Sequence, residues 1–328
     1  MLRCGQAPTG VKPARARPTD TQIPGSDEEG AGMGRTHDIE TLDHLQELLH
    51  VPPLPGTAAR LIGLVSDPEV DLHELARVIE QDPALAARLV GVANSAWFAR
   101  GREVVSVEEA IIRVLGLDLV RGLALGMTLG GAFDTSACAA FDAQRYAYLA
   151  FVTGSLARDL AGSADLAPAA RDCAFLAGLL HDFGQLVLVH AFPRHMEQVL
   201  QAVGDRPLEA RLECEREAFA LDEVQAGRFV LRRWHLPACV IAALGSGHAG
   251  AESADAALGA LAALVRWVAA AAARLYQDPG TEVADWFPEL PAPPAPLPGE
   301  VAQRRLEQYR EQDAELRRLA RMLIDPNA

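Results

Sequence analysis

From Asp38 to the end of the chain, apolar residues recur three and four positions apart, and no stretch alternates apolar with polar side chains over a strand's length. A half-buried strand needs a period of two, so the pattern confines the chain to an all-α fold. Composition agrees. Half of the 328 residues are hydrophobic, many of them Ala and Leu, and aromatics make up only 5%. Ala and Leu are among the best helix formers.

Local chemistry marks the boundaries. Ile39, Leu42, Leu45 and Leu48 or Leu49 form a first stripe, which VPPLPG (51–56) ends. Ala58, Leu61, Ile62 and Val65 share one face of the next helix. Asp71 with Glu74 has capping-box spacing ahead of Leu75, Val78 and Ile79. Asp82-Pro83 predicts an N-cap followed by proline at the first helical position, with Leu85, Leu89, Val92 and Ala93 facing inward as far as Asn94-Ser95. Ser106 and Glu109 repeat the box, and Gly116 is placed to end that helix. Further helices are predicted over 143–162, 168–188, 192–204, 208–220, 221–235, 237–248 and 253–277, with the short loops of a compact bundle.

The flanks differ in character. Residues 1–37 are rich in Pro, Gly, Thr and Arg and read as a disordered tail, with Met33 an alternative start. Residues 286–300 include ELPAPPAPLPGE (289–300) and read as an extended Pro-rich linker. Residues 301–328 form a final amphipathic helix. In it, Ala302, Leu306, Tyr309, Asp313, Leu316, Ala320 and Leu323 make a short heptad seam with one polar position. Two readings stay open for this seam: docking on its own domain, or a coiled coil with a second copy or another partner.

Charge narrows the partners. Thirty basic against 44 acidic residues give a net charge of -14, which disfavours nucleic acid and anionic membranes. Residues 257–275 are long and apolar, but Arg266 at their centre favours a buried core helix over a membrane span. Gly122, Gly126 and Gly130 share a helix face and predict close packing in a core, since Asp118 and Arg121 interrupt the apolar span a membrane dimer needs. Cys4, Cys138, Cys173, Cys214 and Cys239 are isolated, so neither a disulfide framework nor a zinc knuckle is expected, and a reduced, cytoplasmic setting is. No apolar segment follows Arg3, so no signal peptide is expected.

The chemistry concentrates in GLLHDFGQLVL (178–188), where His181 and Asp182 interrupt an apolar run. Such a pair costs free energy unless it has partners. Metal ligation is one solution. The other is structural: His181 donates to a backbone carbonyl while Asp182 caps a helix or pairs with an arginine. HExxH, GxSxG and the GxxxxGK loop are absent, so their chemistries have no support.

The stretch 54–98, with IEQDPAL (79–85) and NSAWF (94–98), together with EEAIIRVLGLD (108–118), GLLHDFGQLVL and RRWHLP (232–237), resembles the HDOD domain, the HD-related output domain of bacterial signalling proteins. The likeness covers residues 45–275. It implies a two-lobed helical domain over 38–285, with an N-terminal lobe at 38–140 and a degenerate HD-like lobe at 141–285, and a regulatory, usually non-catalytic role.

Working HD hydrolases hold a divalent metal with a first His, the His-Asp pair and a distant Asp. By this resemblance Leu149 stands where the first His belongs, Gln185 where a Lys is common, and Ala269 or Ala270 where the last Asp belongs. The two ligands that remain are too few for a tight site. Glu223 and His248 fall where HDOD sequences carry His, so His181, Asp182, Glu223 and His248 are the metal candidates, provided they converge. No catalytic residue is expected, and no cofactor beyond a weakly held divalent metal. The expected function is a non-catalytic signalling module acting on a protein partner or through a small ligand. The alternatives are a divergent metal-dependent phosphohydrolase and a cyclic-dinucleotide sensor. The sensor needs clustered arginines, such as Arg232 with Arg233 or Arg113 with Arg121.

Overall fold

Asp82 shows how local chemistry becomes architecture: its Oδ1 accepts the backbone N–H groups of Ala84 and Leu85, and Pro83 opens the helix it caps. The computed structural model describes residues 54, 56–65, 71–99, 101–204, 208–244 and 255–324. Among the described residues every regular element is helical.

The first lobe comprises α1 (Gly56–Val65), α2 (Leu72–Glu80), α3 (Pro83–Ala93), α4 (Val107–Glu109, continuing as a π-helical turn over Ala110–Leu115) and α5 (Leu117–Gly130). Asp71 caps α2 through the His73 N–H. Ser106 caps α4 through the Glu109 N–H, and the Glu109 carboxylate accepts from Val105. The Asn94 amide bonds the Val104 backbone in both directions at 2.8 Å, which closes the intervening loop.

The second lobe comprises α6 (Ala143–Ala161), α7 (Pro168–Leu179), α8 (Phe183–Ala191), α9 (Pro193–Val203), α10 (Leu208–Phe219), α11 (Glu223–Arg233), α12 (Ala238–Ala243) and α13 (Ala256–Gln277). Helix α6 is its axis, buried without a break from Ala147 to Ala157. One hydrophobic core runs through both lobes, from Ala58 to Leu323. Each large side chain it encloses contributes about 1.5–3 kcal/mol. Helix α13 sends Leu261, Leu264, Val265 and Val268 into that core and leaves Arg266 on its exposed face.

Two backbone crossings fix the lobe. A Cβ on Gly178 of α7 would lie 2.7 Å from the Gly154 Cα of α6. A Cβ on Gly184 of α8 would overlap the Glu223 carbonyl of α11, and Gly227 of α11 packs against the same Gly184 backbone. Gly122 and Gly126 of α5 admit the Phe175 and Leu179 side chains of α7, and Gly130 meets the Leu323 backbone, which is the close packing their spacing predicts.

Four expectations need correction. The predicted helix 168–188 is two helices, because α7 and α8 each cross a different neighbour and the chain turns between them at 180–182. The predicted helix 237–248 ends at Ala243, and His248 lies outside the described residues, as does the tail 1–37. Cys173 and Cys239 form a disulfide that ties α7 to α12 across 66 residues of sequence, a separation that local spacing rules do not reach.

The fourth correction concerns the C-terminus. The Pro-rich segment packs onto the domain rather than spanning free solvent: Trp267 donates to the Pro291 carbonyl and Leu297 is buried. After the short helix α14 (Val283–Trp286), the final helix is two, α15 (Gly299–Glu311) and α16 (Asp313–Ile324), broken at Gln312. Helix α16 lies against α6 and α5, and Ala302, Leu306, Tyr309, Leu316, Ala320 and Leu323 are all buried. The polar position, Asp313, accepts from the Tyr148 hydroxyl at 2.8 Å and from Arg317 Nε at 2.7 Å, while the Tyr309 hydroxyl donates to Asp159. The seam residues therefore dock on their own domain.

The α8–α11 crossing gives a direct test. Gly184→Ala forces backbone apart and should cost about 1–3 kcal/mol, as overpacking does. Gly259→Ala in α13, where a Cβ meets nothing within 4 Å, should be neutral or stabilising by up to about 1 kcal/mol. Chemical denaturation checks both, and equal effects would contradict the crossing.

Candidate functional site: a buried arginine among three carboxylates

The turn carrying His181 and Asp182 is bracketed by the two crossing glycines, Gly178 and Gly184, so its backbone is held from both sides. His181 Nδ1 lies 2.8 Å from the Gly178 carbonyl oxygen. A carbonyl only accepts, so Nδ1 carries the hydrogen of that bond. Asp182 occupies the N-cap position of α8 but makes no side-chain cap bond. Its carboxylate turns instead to Arg211 of α10, whose Nη2 donates to Asp182 Oδ1 at 3.2 Å.

The same Nη2 donates to Glu223 Oε1 at 2.6 Å, and Arg211 Nε stands 3.8 Å from Glu215 Oε1. Glu215 Oε2 accepts the Glu223 backbone N–H at 2.8 Å, which ties α10 to the start of α11. That start is itself fixed by a capping box between Asp222 and Gln225. The side chains of Arg211, Asp182, Glu223 and Glu215 are 13%, 17%, 4% and 0% exposed. One guanidinium thus faces three carboxyl groups with little water to screen them.

The protonation pattern follows from that imbalance. Burial opposes the Arg211 charge, but Glu223, Asp182 and Glu215 outweigh it and raise its pKa further. Burial works to raise Asp182, and Arg211 with His181 overcomes this and holds it below the usual carboxylate range. Burial pushes Glu223 well above its ordinary value despite Arg211, with Asp182 and Glu215 adding to the push. A proton is therefore held more tightly on Glu223 than on Asp182, and Glu223 Oε2 has no hydrogen-bond partner among the described residues. Burial pushes Glu215 up to about 7. Burial, then Asp182 and Glu223, also raise the neighbouring Tyr146 hydroxyl, which stays protonated.

The site opens into a cavity of about 510 Å³. Leu149, His181, Asp182, Ala269 and Ala270 all line it, so the positions aligned with the ligands of an HD enzyme do converge. Glu223 joins them, and Arg145, Arg211 and Arg266 supply its positive charge. None of these three belongs to the pairs nominated from sequence, and Arg113 is paired with Glu109 instead. Of the four metal candidates, Asp182 and Glu223 meet through Arg211, His181 lines the same cavity, and His248 lies outside the described residues.

Residues 51–249 match the family described as HDOD domain. The chain belongs to the HDOD family. An uncharacterized protein of Treponema pallidum (strain Nichols) is 26% identical to this HDOD chain over 194 residues, 58% of the chain and 36% of that protein, so the chain spans about a third of that relative's length. A crystal structure from Marinobacter aquaeolei VT8, with a proposed role in signal transduction, is 26% identical with a TM-score of 0.66, covering 89% of this chain and 66% of that one. Two others share the fold. A proposed phosphohydrolase from Shewanella amazonensis SB2B has a TM-score of 0.67 at 23% identity, covering 84% of this chain and 97% of its own. An HDOD domain protein of unknown function from Geobacter sulfurreducens has a TM-score of 0.64 at 21% identity, covering 87% and 99%.

HD enzymes imply a metal at this turn, and the residues present do not fit one. Leu149, Ala269 and Ala270 offer no donor atom, and Asp182 and Glu223 are engaged by a guanidinium. Among the described residues no three His, Cys, Asp or Glu side chains are arranged to hold a metal ion. Arg211 escaped the sequence reading because Arg211 and Glu215, four apart on a helix, look like an ordinary surface pair.

Stability should carry the signature of these carboxyls. A carboxyl whose folded pKa lies above its unfolded value contributes fully below the unfolded pKa and loses that contribution as pH rises through the folded one. For Glu215 the window runs from 4.5 to about 7, and Glu223 extends the loss upward. Unfolding free energy should therefore fall between pH 5 and pH 8, each limit being about a unit wide. Glu215→Gln, which can still accept the Glu223 N–H, should flatten the lower half of that slope in urea titrations. An unchanged slope would contradict the assignment.

Proposed function

We propose that this HDOD chain is a non-catalytic signal-transduction module whose HD-type pocket binds a regulatory ligand or transmits a partner's signal without hydrolysis. The observation that carries this reading is Arg211. Its guanidinium bridges Asp182 and Glu223 beside the His-Asp turn, where hydrolysis needs a divalent cation open to substrate. An arginine can neutralise charge there, but it cannot lower the pKa of a bound water as a metal does. The proposed signalling role of the Marinobacter relative supports the same direction.

The two-lobed construction supplies a means of transmission. Helix α16 packs against α3 and α5 of the first lobe and α6 of the second, and Asp313 within it bonds Tyr148 beside the cavity-lining end of α6. A change at the cavity therefore has a continuous packed route to both lobes.

Elemental analysis with a hydrolysis assay tests the reading. The purified chain should hold Mn, Fe or Zn at less than about 0.1 equivalent, and should not hydrolyse phosphomonoesters or phosphodiesters with added metal. Stoichiometric metal that disappears in His181→Ala, together with turnover, would overturn it.

A further inference from the structure

The cavity beside Arg211 is lined by both carboxyl and guanidinium groups. Two of the carboxyl groups that line it, Asp182 and Glu223, are bonded to Arg211, and the third, Glu209, stands at an exposed position on α10. Part of the positive side is open. Arg211 donates to the carboxylates through Nη2 alone, and its Nη1 bonds no atom among the described residues. Arg145 of α6 lines the same cavity and makes no ion pair among the described residues, although its charge reaches Asp182.

Much of the remaining lining is apolar. Leu149, Ala269, Ala270 and Ala273 belong to it, and Leu200 with Leu208 extends it along α9 and α10. The positions that would carry metal ligands in an HD enzyme thus present hydrocarbon to the cavity. A volume of about 510 Å³ lies within the roughly 300–1,000 Å³ that holds small organic ligands, and a mostly apolar lining with a few convergent polar groups is how such sites are built.

We propose that this cavity binds a small amphipathic anion: one carboxylate or phosphate headgroup held by Arg145 and the free edge of Arg211, with an apolar body against Leu149 and the α13 alanines. The proposal rests on the metal-free reading above. Charge-assisted hydrogen bonds to arginine fix the head, and the apolar lining selects the body by burial. A cyclic dinucleotide is a poor match, because two charges and several polar ring atoms would meet hydrocarbon.

Calorimetry on the full chain, with EDTA present, tests this. Octanoate and octyl phosphate are the anionic probes, octan-1-ol and octylammonium match the chain without the negative head, and AMP carries the head without the apolar body. At least one anionic probe should bind saturably with a dissociation constant below about 1 mM, and octanol and octylammonium about tenfold more weakly or not at all. Which anion binds better identifies the head. Arg145→Gln, at a half-buried position on α6, should weaken binding about tenfold, the worth of one charged hydrogen bond. Ala270→Phe should abolish it by filling the cavity, and circular dichroism would show that both variants fold.

No saturable heat up to about 10 mM of either anion, octylammonium binding as well as octanoate, or AMP binding more tightly than octyl phosphate would each overturn the proposal. If the protein is metal-free and inactive and no probe binds, this proposal alone fails. Binding that appears only with added Mn²⁺ overturns both it and the reading it rests on.

Discussion

One guanidinium balances three carboxyl groups, two buried and one half-buried, from three separate elements, and the second lobe is organised around that balance. Asp182 comes from the turn before α8, Glu215 from α10 and Glu223 from the start of α11. A carboxylate taken out of water needs a partner, and a cluster of three cannot all ionise beside a single cation. The site answers by pushing Glu223 well up and Glu215 up to about 7, while Arg211 holds Asp182 below the usual carboxylate range. A divalent metal with neutral ligands would carry a different charge count. On the function proposed above, the Arg211 arrangement is a different electrostatic solution at the same place in the fold.

The glycine crossings make that solution geometrically possible. Gly178 lets α7 touch α6, and Gly184 lets α8 touch α11, so the seven residues from one crossing to the other hold the His-Asp turn in a fixed position. Because α11 approaches α8 at backbone distance, its first residue, Glu223, comes within reach of Asp182 and Arg211. Widening either crossing by a methyl group would displace charged groups as well as helices. Packing and electrostatics in this lobe are consequently one problem rather than two.

Much of this was legible before any coordinates. The caps at Asp82 and Ser106, the all-helical period and the close packing at Gly122, Gly126 and Gly130 rest on local chemistry, which a sequence states directly. Of the structural roles open to the His-Asp pair, the backbone carbonyl for His181 and the arginine for Asp182 are observed, and a side-chain cap by Asp182 on α8 is not. Which arginine was not legible, because Arg211 lies 29 residues from Asp182 and sits in an unremarkable charged helix. The Cys173–Cys239 bridge escaped for the same reason. The C-terminal seam was ambiguous because apolar spacing specifies that a face is buried and leaves open which surface buries it. Here α6 and α5 do.

The central claim is that Arg211 is the resident cation of the site, and its stability cost measures that most directly. Equilibrium urea unfolding of Arg211→Met, which keeps an unbranched apolar stem and removes the charge, should show a loss of about 3–5 kcal/mol near neutral pH, the cost of stripping the partner from buried charges. Adding Glu223→Gln and Asp182→Asn to the same chain should recover at least about 1 kcal/mol of that loss, because these groups are coupled. A loss under about 0.5 kcal/mol for Arg211→Met, the size of an ordinary surface substitution, would contradict the claim.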